Sequence, residues 1–357
     1  MTSNYSDATD FVLEETQRSA VLDAVAATLD QYVFPDIAEQ LQTDIQQRRA
    51  NQGYEEITGG EQLAAVLTLQ LQELSGDRQL KVHFSPQPLP DLQPAAAPTP
   101  EALATEKYQS SLRNFDINRV ERLRGNVGYL ELYGFEPPDF AGEVIAAAMT
   151  FVANTQALII DIRHNRGGSP AMVALLCSYL LPAYPPTHLN DLYWRPDDST
   201  RQWWTLPYLN APRYLQKSVY LLTSQETFSA AEEFAYNLQV LKRATIIGEH
   251  TAGGANPGQG YRLQEHFWMF VPTGQSINPV TQDNWAQAGI IPDVKVPSEL
   301  TLSTAHLMAL NRLLETEPTG PHFRELQRSM LMVERELNTK RADLISQLKQ
   351  PGGRDAV

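Results

Sequence analysis

Cysteine is nearly absent: Cys177 stands alone, so no intramolecular disulfide can staple this chain. It lies in the apolar run MVALLCSYLL, where a thiol serves as a small buried hydrophobe. Basic residues are also scarce, 28 against 42 acidic ones, and the net charge of -14 repels phosphate backbones and anionic lipid. Nucleic acid is therefore excluded as an expected partner. No stretch approaches the about 18 consecutive apolar residues of a membrane span. The N-terminal MTSNYSDATDFVLEETQ has no cationic start followed by an apolar segment. The chain as written is expected to be cytoplasmic, or exported if a signal was removed. No internal repeat is visible, which argues against solenoids and propellers.

What is present is a core. With 42% hydrophobic residues over 357 positions, one large domain and a smaller one can be buried. Apolar positions recur at helical spacing through Val21, Leu22, Val25 and Leu29, then Ile37, Leu41 and Ile45, then Leu63, Leu67 and Leu71. Residues 1–76 thus read as a helical cap, with Thr58 and Glu61 forming a capping box for the third helix. Residues 77–125 hold a strand candidate at Leu80–Phe84 and the segment SPQPLPDLQPAAAPTPEA, whose Pro/Ala density predicts an exposed linker. From Asn126 to about residue 300, apolar runs such as ALIIDIR, SVYLLT and ATIIGE alternate with helical patterns. That texture predicts an α/β core whose sheet is buried on both faces. Residues 301–357 read as closing helices, the last of which packs its apolar stripe on the body or on a partner subunit.

Three segments place special residues at the end of a buried strand, where open α/β sheets form their crevices. In LIIDIRHNRGGSPAMV, the pair Gly167 and Gly168 permits a turn that leaves amide N–H groups facing outward, half of an oxyanion site or simply a strand-to-helix turn. In YLLTSQETFSAAEEFAYNLQ, Ser229 opens a helix and is followed by small alanines, which suits a nucleophile as well as an ordinary N-cap. The third, IIGEHTAGGANPGQG, lacks a phosphate-loop lysine and the dinucleotide glycine spacing. Its Thr251 and Gly253 are expected to line the same crevice, and no cofactor and no metal are expected. The aromatic stretch LYWRPDDSTRQWWTLPYL fits either a ligand groove or a hairpin packed on the core.

The order NVGYLEL, DIRHNRGG, TSQETFSAAEEFA, KRATIIGEHTAGGANPG and GIIPDVKVP resembles the tail-specific or C-terminal processing serine peptidase superfamily, in particular its interphotoreceptor retinoid-binding protein-like branch. The resemblance covers about Asn126–Pro297 and implies a crotonase-like ββα superfold core. It places the nucleophile at Ser229 and the oxyanion donors at the N–H of Ala230 and of Gly167 or Gly168. A PDZ domain is not expected, because the stretch between Phe84 and Asn126 is too short for one.

The departures from that pattern matter for the chemistry. Where the best-known members of the resembled family carry a lysine base, this chain has Gly254; where its tricorn-like and retinoid-binding-protein-like branch typically carries a histidine, it has Gln79; where that branch carries a supporting glutamate, it has Ala286. A serine hydroxyl needs an adjacent base, and a neutral amide cannot take its proton. His83 lies four residues beyond Gln79, about 13 Å along a strand, and His250 in the glycine-rich loop is the nearer substitute base. Two functions follow as expectations: a serine-type peptidase cutting a peptide or protein substrate through Ser229, or an inactive relative binding a peptide tail or a small apolar ligand.

Overall fold

A computed structural model describes residues 12–90, 98–316, 319 and 321–349. In chain order the elements are α1 (Glu15–Thr28), α2 (Pro35–Ala50), α3 (Gly60–Ser75), β1 (Lys81–Phe84), α4 (Pro100–Ser111), β2 (Ile117–Leu123), β3 (Val127–Leu132), α5 (Pro138–Val152), β4 (Ala157–Asp161) and α6 (Pro170–Leu180). There follow β5 (His188–Trp194), β6 (Ser199–Trp204), β7 (Ser218–Thr223), α7 (Ala230–Val240), β8 (Thr245–Gly248), β9 (Gly258–Gln264), β10 (Phe267–Pro272), β11 (Gly274–Ile277), β12 (Val294–Lys295), α8 (Ser298–Thr316) and α9 (Pro321–Lys349). No described helix is long and apolar enough to cross a membrane. The architecture is the expected α/β type with an N-terminal helical region.

The chain divides into two compact units, and the division is not the contiguous one expected. Residues 191–201 and 256–277, read from the sequence as part of the core, belong with residues 1–100, while the rest forms the second unit. The reason is long-range strand pairing. β1 pairs antiparallel with β10, and β10 with β9, so a strand next to the helical cap recruits two from late in the chain. Along β10, Phe267, Met269 and Val271 alternate inward and join Val25, Leu41, Leu63 and Leu67 of the three helices in one core. The third helix is capped at Gly59, one residue later than the expected Thr58. Part of the Pro/Ala-rich linker, residues 91–97, lies outside the described residues. Its end is helical: Pro100 sits at the first position of α4, where its missing N–H costs nothing.

The second unit is built on a six-stranded sheet of order β12-β8-β7-β4-β3-β2, parallel except where β2 pairs antiparallel with β3. Both faces are buried. Leu158 and Ile160 point into one core with residues of α5, α6 and α7, while Ala157 and Ile159 point into another with Ala305, Ala309 and Leu310 of α8 and Leu326 and Val333 of α9. This is why the strands read as continuous apolar runs. Cys177 is fully buried in α6, and burial pushes its thiol well up, so it remains a protonated packing group.

A buried carboxyl of α7 lies without a full set of partners. Glu233 of α7 is 3% exposed, its Oε1 has no hydrogen-bond partner among the described residues, and burial pushes its pKa up to about 8. The native state therefore keeps a proton that the unfolded chain releases. The stability carried by this neutral carboxyl is fully present below the unfolded value of 4.5 and is lost as pH rises through about 8. Urea unfolding at pH 5 and pH 9 should show a loss on the order of a few kcal/mol in the wild type that Glu233→Gln largely abolishes. Equal losses in both proteins would contradict a protonated Glu233.

Candidate active site

The C-terminal ends of β4, β7 and β8 feed three loops of the second unit, and hydrogen bonds tie the first two side by side. Asp161 at the end of β4 accepts from Tyr129 Oη at 2.8 Å and from Arg163 Nη2 at 2.7 Å, while Arg163 Nη1 reaches the carbonyl of Ser298 at 2.6 Å. That buried pair fixes the backbone leaving the strand. Thr227 Oγ1 donates to the carbonyl of Ile162 at 2.9 Å, and Phe228 N–H to that of Asn165 at 3.1 Å. The loop carrying Gly167 and Gly168 is thereby held against the turn carrying Ser229.

Ser229 itself has φ +56° and ψ -126°, a conformation that is sparsely populated by non-glycine residues and is common where a nucleophile sits on a sharp strand-to-helix turn. It is half-buried and precedes α7 directly. A Cβ on Gly167 would lie 2.8 Å from Ser229 Cβ and 2.9 Å from Ala230 N, so only glycine permits this approach. The hydrogen bonds distinguish Gly167 from Gly168. The N–H of Gly167 is taken by Asn165 Oδ1 at 2.8 Å, whereas the N–H groups of Gly168 and Ala230 have no partner among the described residues. Gly167 is thus a spacer, and Gly168 keeps the free donor.

The residue that sequence reasoning missed is Glu232. Its fully buried carboxylate accepts four hydrogen bonds: from Ser229 N–H at 2.8 Å and Gly254 N–H at 2.9 Å on Oε2, and from Gly253 N–H at 2.7 Å and Thr251 Oγ1 at 2.5 Å on Oε1. Burial raises this carboxyl above the usual carboxylate range, and the four donors hold back only part of that rise. Thr251 and Gly253, expected to line a crevice, are instead buried and turned inward onto Glu232. Thr251 Oγ1 also accepts from Ile290 N–H at 2.7 Å, and Trp285 Nε1 donates to the carbonyl of Gly254 at 3.3 Å. One carboxyl group thus ties the Ser229 turn to the glycine-rich loop.

Comparison with known proteins gives this arrangement a family. Residues 126–296 match Peptidase family S41, and residues 8–117 match the N-terminal domain of Peptidase S41 in eukaryotic IRBP. The chain carries a peptidase family S41 domain and the N-terminal domain that goes with it. A stretch of 113 residues is 31% identical to the Tail-specific protease of Haemophilus influenzae, covering 30% of this chain but only 14% of that relative. Among solved structures, a candidate peptidase from Parabacteroides merdae superposes with a TM-score of 0.57 at 16% identity, covering 82% of this chain and 92% of that one. The Photosystem II D1 C-terminal processing protease superposes with 0.50 at 14% identity, covering 81% and 95%. At these identities the structural likenesses speak for the fold.

The three positions expected to depart from the family pattern are each occupied in a definite way. Beside Gly254 lies the ring of Phe228, the residue before Ser229, and a Cβ on Gly254 would fall 1.9 Å from Phe228 Cε2. The aromatic ring therefore fills the space into which a longer side chain at position 254 would project. Ala286 is half-buried against the core, and its N–H donates to Asn284 Oδ1 at 2.8 Å. In the first unit, Gln79 uses both ends of its amide: Nε2 donates to the carbonyl of Asn256 at 3.1 Å, and Oε1 accepts the N–H of Asn256 at 3.3 Å. His83, also in that unit, stacks on Trp268 with ring centroids 4.0 Å apart. His250 is half-buried in the second unit and makes no hydrogen bond or ion pair among the described residues.

Two stability measurements test this geometry. Gly254→Ala should cost about 1–3 kcal/mol by overpacking, and most of that cost should vanish in a Phe228→Ala background. Additive losses in the double-mutant cycle would show that the ring does not fill that space. Glu232→Ala leaves buried donors without an acceptor and should cost roughly 3 kcal/mol or more, read as a lower urea midpoint. A change within a few tenths of a kcal/mol would mean the four hydrogen bonds do not hold the loops.

Proposed function

We propose that the protein is a serine-type peptidase-like hydrolase whose nucleophile is Ser229 and whose substrate is a peptide or protein. The observation that carries this reading is the turn at Ser229: a positive-φ serine at the start of α7 with the free N–H groups of Gly168 and Ala230 beside it. Ser229 Oγ would attack the carbonyl carbon of the scissile bond. The negative charge gathering on the carbonyl oxygen would be met by those two N–H donors, and Glu232, through the backbone of Ser229 and the neighbouring loop, keeps the turn in shape. The hydroxyl proton must leave at the same time. No histidine, lysine or carboxylate is hydrogen-bonded to Ser229 Oγ among the described residues, so proton removal falls to water or to a reoriented side chain, His250 first. Loss of a positioned base lowers the rate by about 10²- to 10⁴-fold, and slow turnover is the expected behaviour.

A second reading is favoured by one specific feature. Phe228 occupies the space beside Gly254, and an aromatic ring next to an oxyanion-type pocket suits retention of a peptide tail or an apolar ligand without turnover. A fluorophosphonate probe separates the two. Slow labelling of the wild type that disappears in Ser229→Ala, with both proteins folded by circular dichroism, supports the hydrolase. Absence of labelling in the folded wild type over many hours removes it in favour of ligand binding.

A further inference from the structure

The opposite end of the same sheet carries a cavity that the Ser229 turn does not use. It has a volume of about 480 Å³ and lies wholly in the second unit. Ser218 and Tyr220 at the start of β7, Thr245 at the start of β8, Lys242 and Arg243 just past α7, and Arg312 of α8 line it. Ser229 follows the far end of β7, so the cavity and the turn are served by the two ends of one strand. The volume is that of a small-molecule site. Three cationic residues line it, Lys242, Arg243 and Arg312, against one carboxylate, Asp293.

Asp293 is spent on N–H donors. Its Oδ2 accepts from Ile246 N–H at 2.7 Å and its Oδ1 from Gln239 Nε2 at 3.2 Å. Arg243 is half-buried and gives its guanidinium to three backbone carbonyls, those of Leu180 at 2.6 Å, Lys217 at 3.1 Å and Tyr214 at 2.6 Å. Burial lowers its pKa, and no carboxylate stands close enough to raise it again. A guanidinium drawn out of water without a counter-ion is costly, and a bound anion offsets that cost. Arg312 pairs with Glu315 at 2.9 Å, but both side chains are mostly exposed, so the pair contributes little and an anion can compete for the arginine.

Lys242 is an independent sign. It stands at φ +52° directly after the C-cap of α7, where helices favour glycine because a Cβ there costs about 1 kcal/mol. Its ammonium has no partner among the described residues. A lysine at a helix end also meets the partial negative charge of the last carbonyls, which accounts for one cation but not for three around one cavity. At a net charge of -14 the molecule as a whole repels anions, so a concave cluster of cations is a local exception. We propose that this cavity binds the phosphate group of a small molecule, with Lys242 and Arg312 as its contacts and Arg243 adding charge to the wall. A phosphate of nearly two negative charges matches three cations set against one carboxylate better than a single carboxylate ligand does. The hydroxyls of Ser218, Thr245 and Tyr220 suit phosphate oxygens or the hydroxyl groups of an attached polyol. The inference does not rest on the chemistry of Ser229.

The test is titration calorimetry of the full-length protein at low salt with glycerol phosphate and inorganic phosphate, and with glycerol and acetate as controls. At least one phosphate probe should bind with a Kd of about 1 mM or tighter, and the controls should not. Lys242→Gly and Arg312→Gln should each weaken that binding about 10-fold. Glycine suits the backbone at position 242, so the urea midpoint of ligand-free Lys242→Gly should match the wild type, and its lost affinity then belongs to the side chain. Tighter binding of glycerol phosphate than of inorganic phosphate shows that the polyol is read as well. Equal binding shows that the phosphate alone is read. Absence of binding of both phosphate probes at that affinity, acetate bound as tightly as phosphate, or affinity that survives either substitution overturns the proposal.

Discussion

The candidate site depends on a single buried carboxylate. Glu232 carries no solvent exposure, yet all four of its hydrogen bonds come from donors with no other means of meeting each other: the N–H of Ser229, two N–H groups of the glycine-rich loop and the Thr251 hydroxyl. Burying an ion is costly, and here the cost is offset only because every acceptor direction is used. Two consequences follow. The backbone of Ser229 is held at a positive φ that a serine does not favour, and the loop after β8 is drawn in behind the nucleophile turn instead of opening toward solvent.

With that clasp in place, the remaining pieces have fixed roles. The Asp161–Arg163 pair directs the loop after β4, Gly167 gives up its side chain so that this loop can touch Ser229, and Asn165 takes the N–H of Gly167. Among the described residues, the backbone N–H groups of Gly168 and Ala230 beside this turn then remain unpaired. The geometry is specific because the unwanted donors are satisfied internally.

The sequence exposed some of this and hid the rest for identifiable reasons. The sheet was legible because both its faces are buried: Leu158 and Ile160 serve one core, Ala157 and Ile159 the other, and the run ALIID contains all of them. The three N-terminal helices were legible from their apolar spacing. α4 was hidden by the Pro/Ala-rich stretch before it, although Pro100 at its first position is a helix-start signal. The membership of β9 and β10 in the first unit was not legible, because the pairing of β10 with β1 joins segments more than half the chain apart and leaves no local pattern. Glu232 was hidden for the same kind of reason. Its partners lie near it in space but some twenty residues on in the chain. The one local clue was the spacing of Ser229 and Glu232, a Ser-x-x-Glu capping pattern.

The substituted base positions bear on what kind of site this is. A position that merely loses a side chain leaves a void, with lost contacts and a loosened surround. That is not what is found. The space beside Gly254 is filled by Phe228, Ala286 packs against the core, and the Gln79 amide is matched at both ends by the backbone of Asn256. Each change is accommodated within its own unit by packing or hydrogen bonding. The N–H groups of Gly168 and Ala230 have no partner among the described residues, and on the function proposed above they are the donors that would meet a carbonyl oxygen.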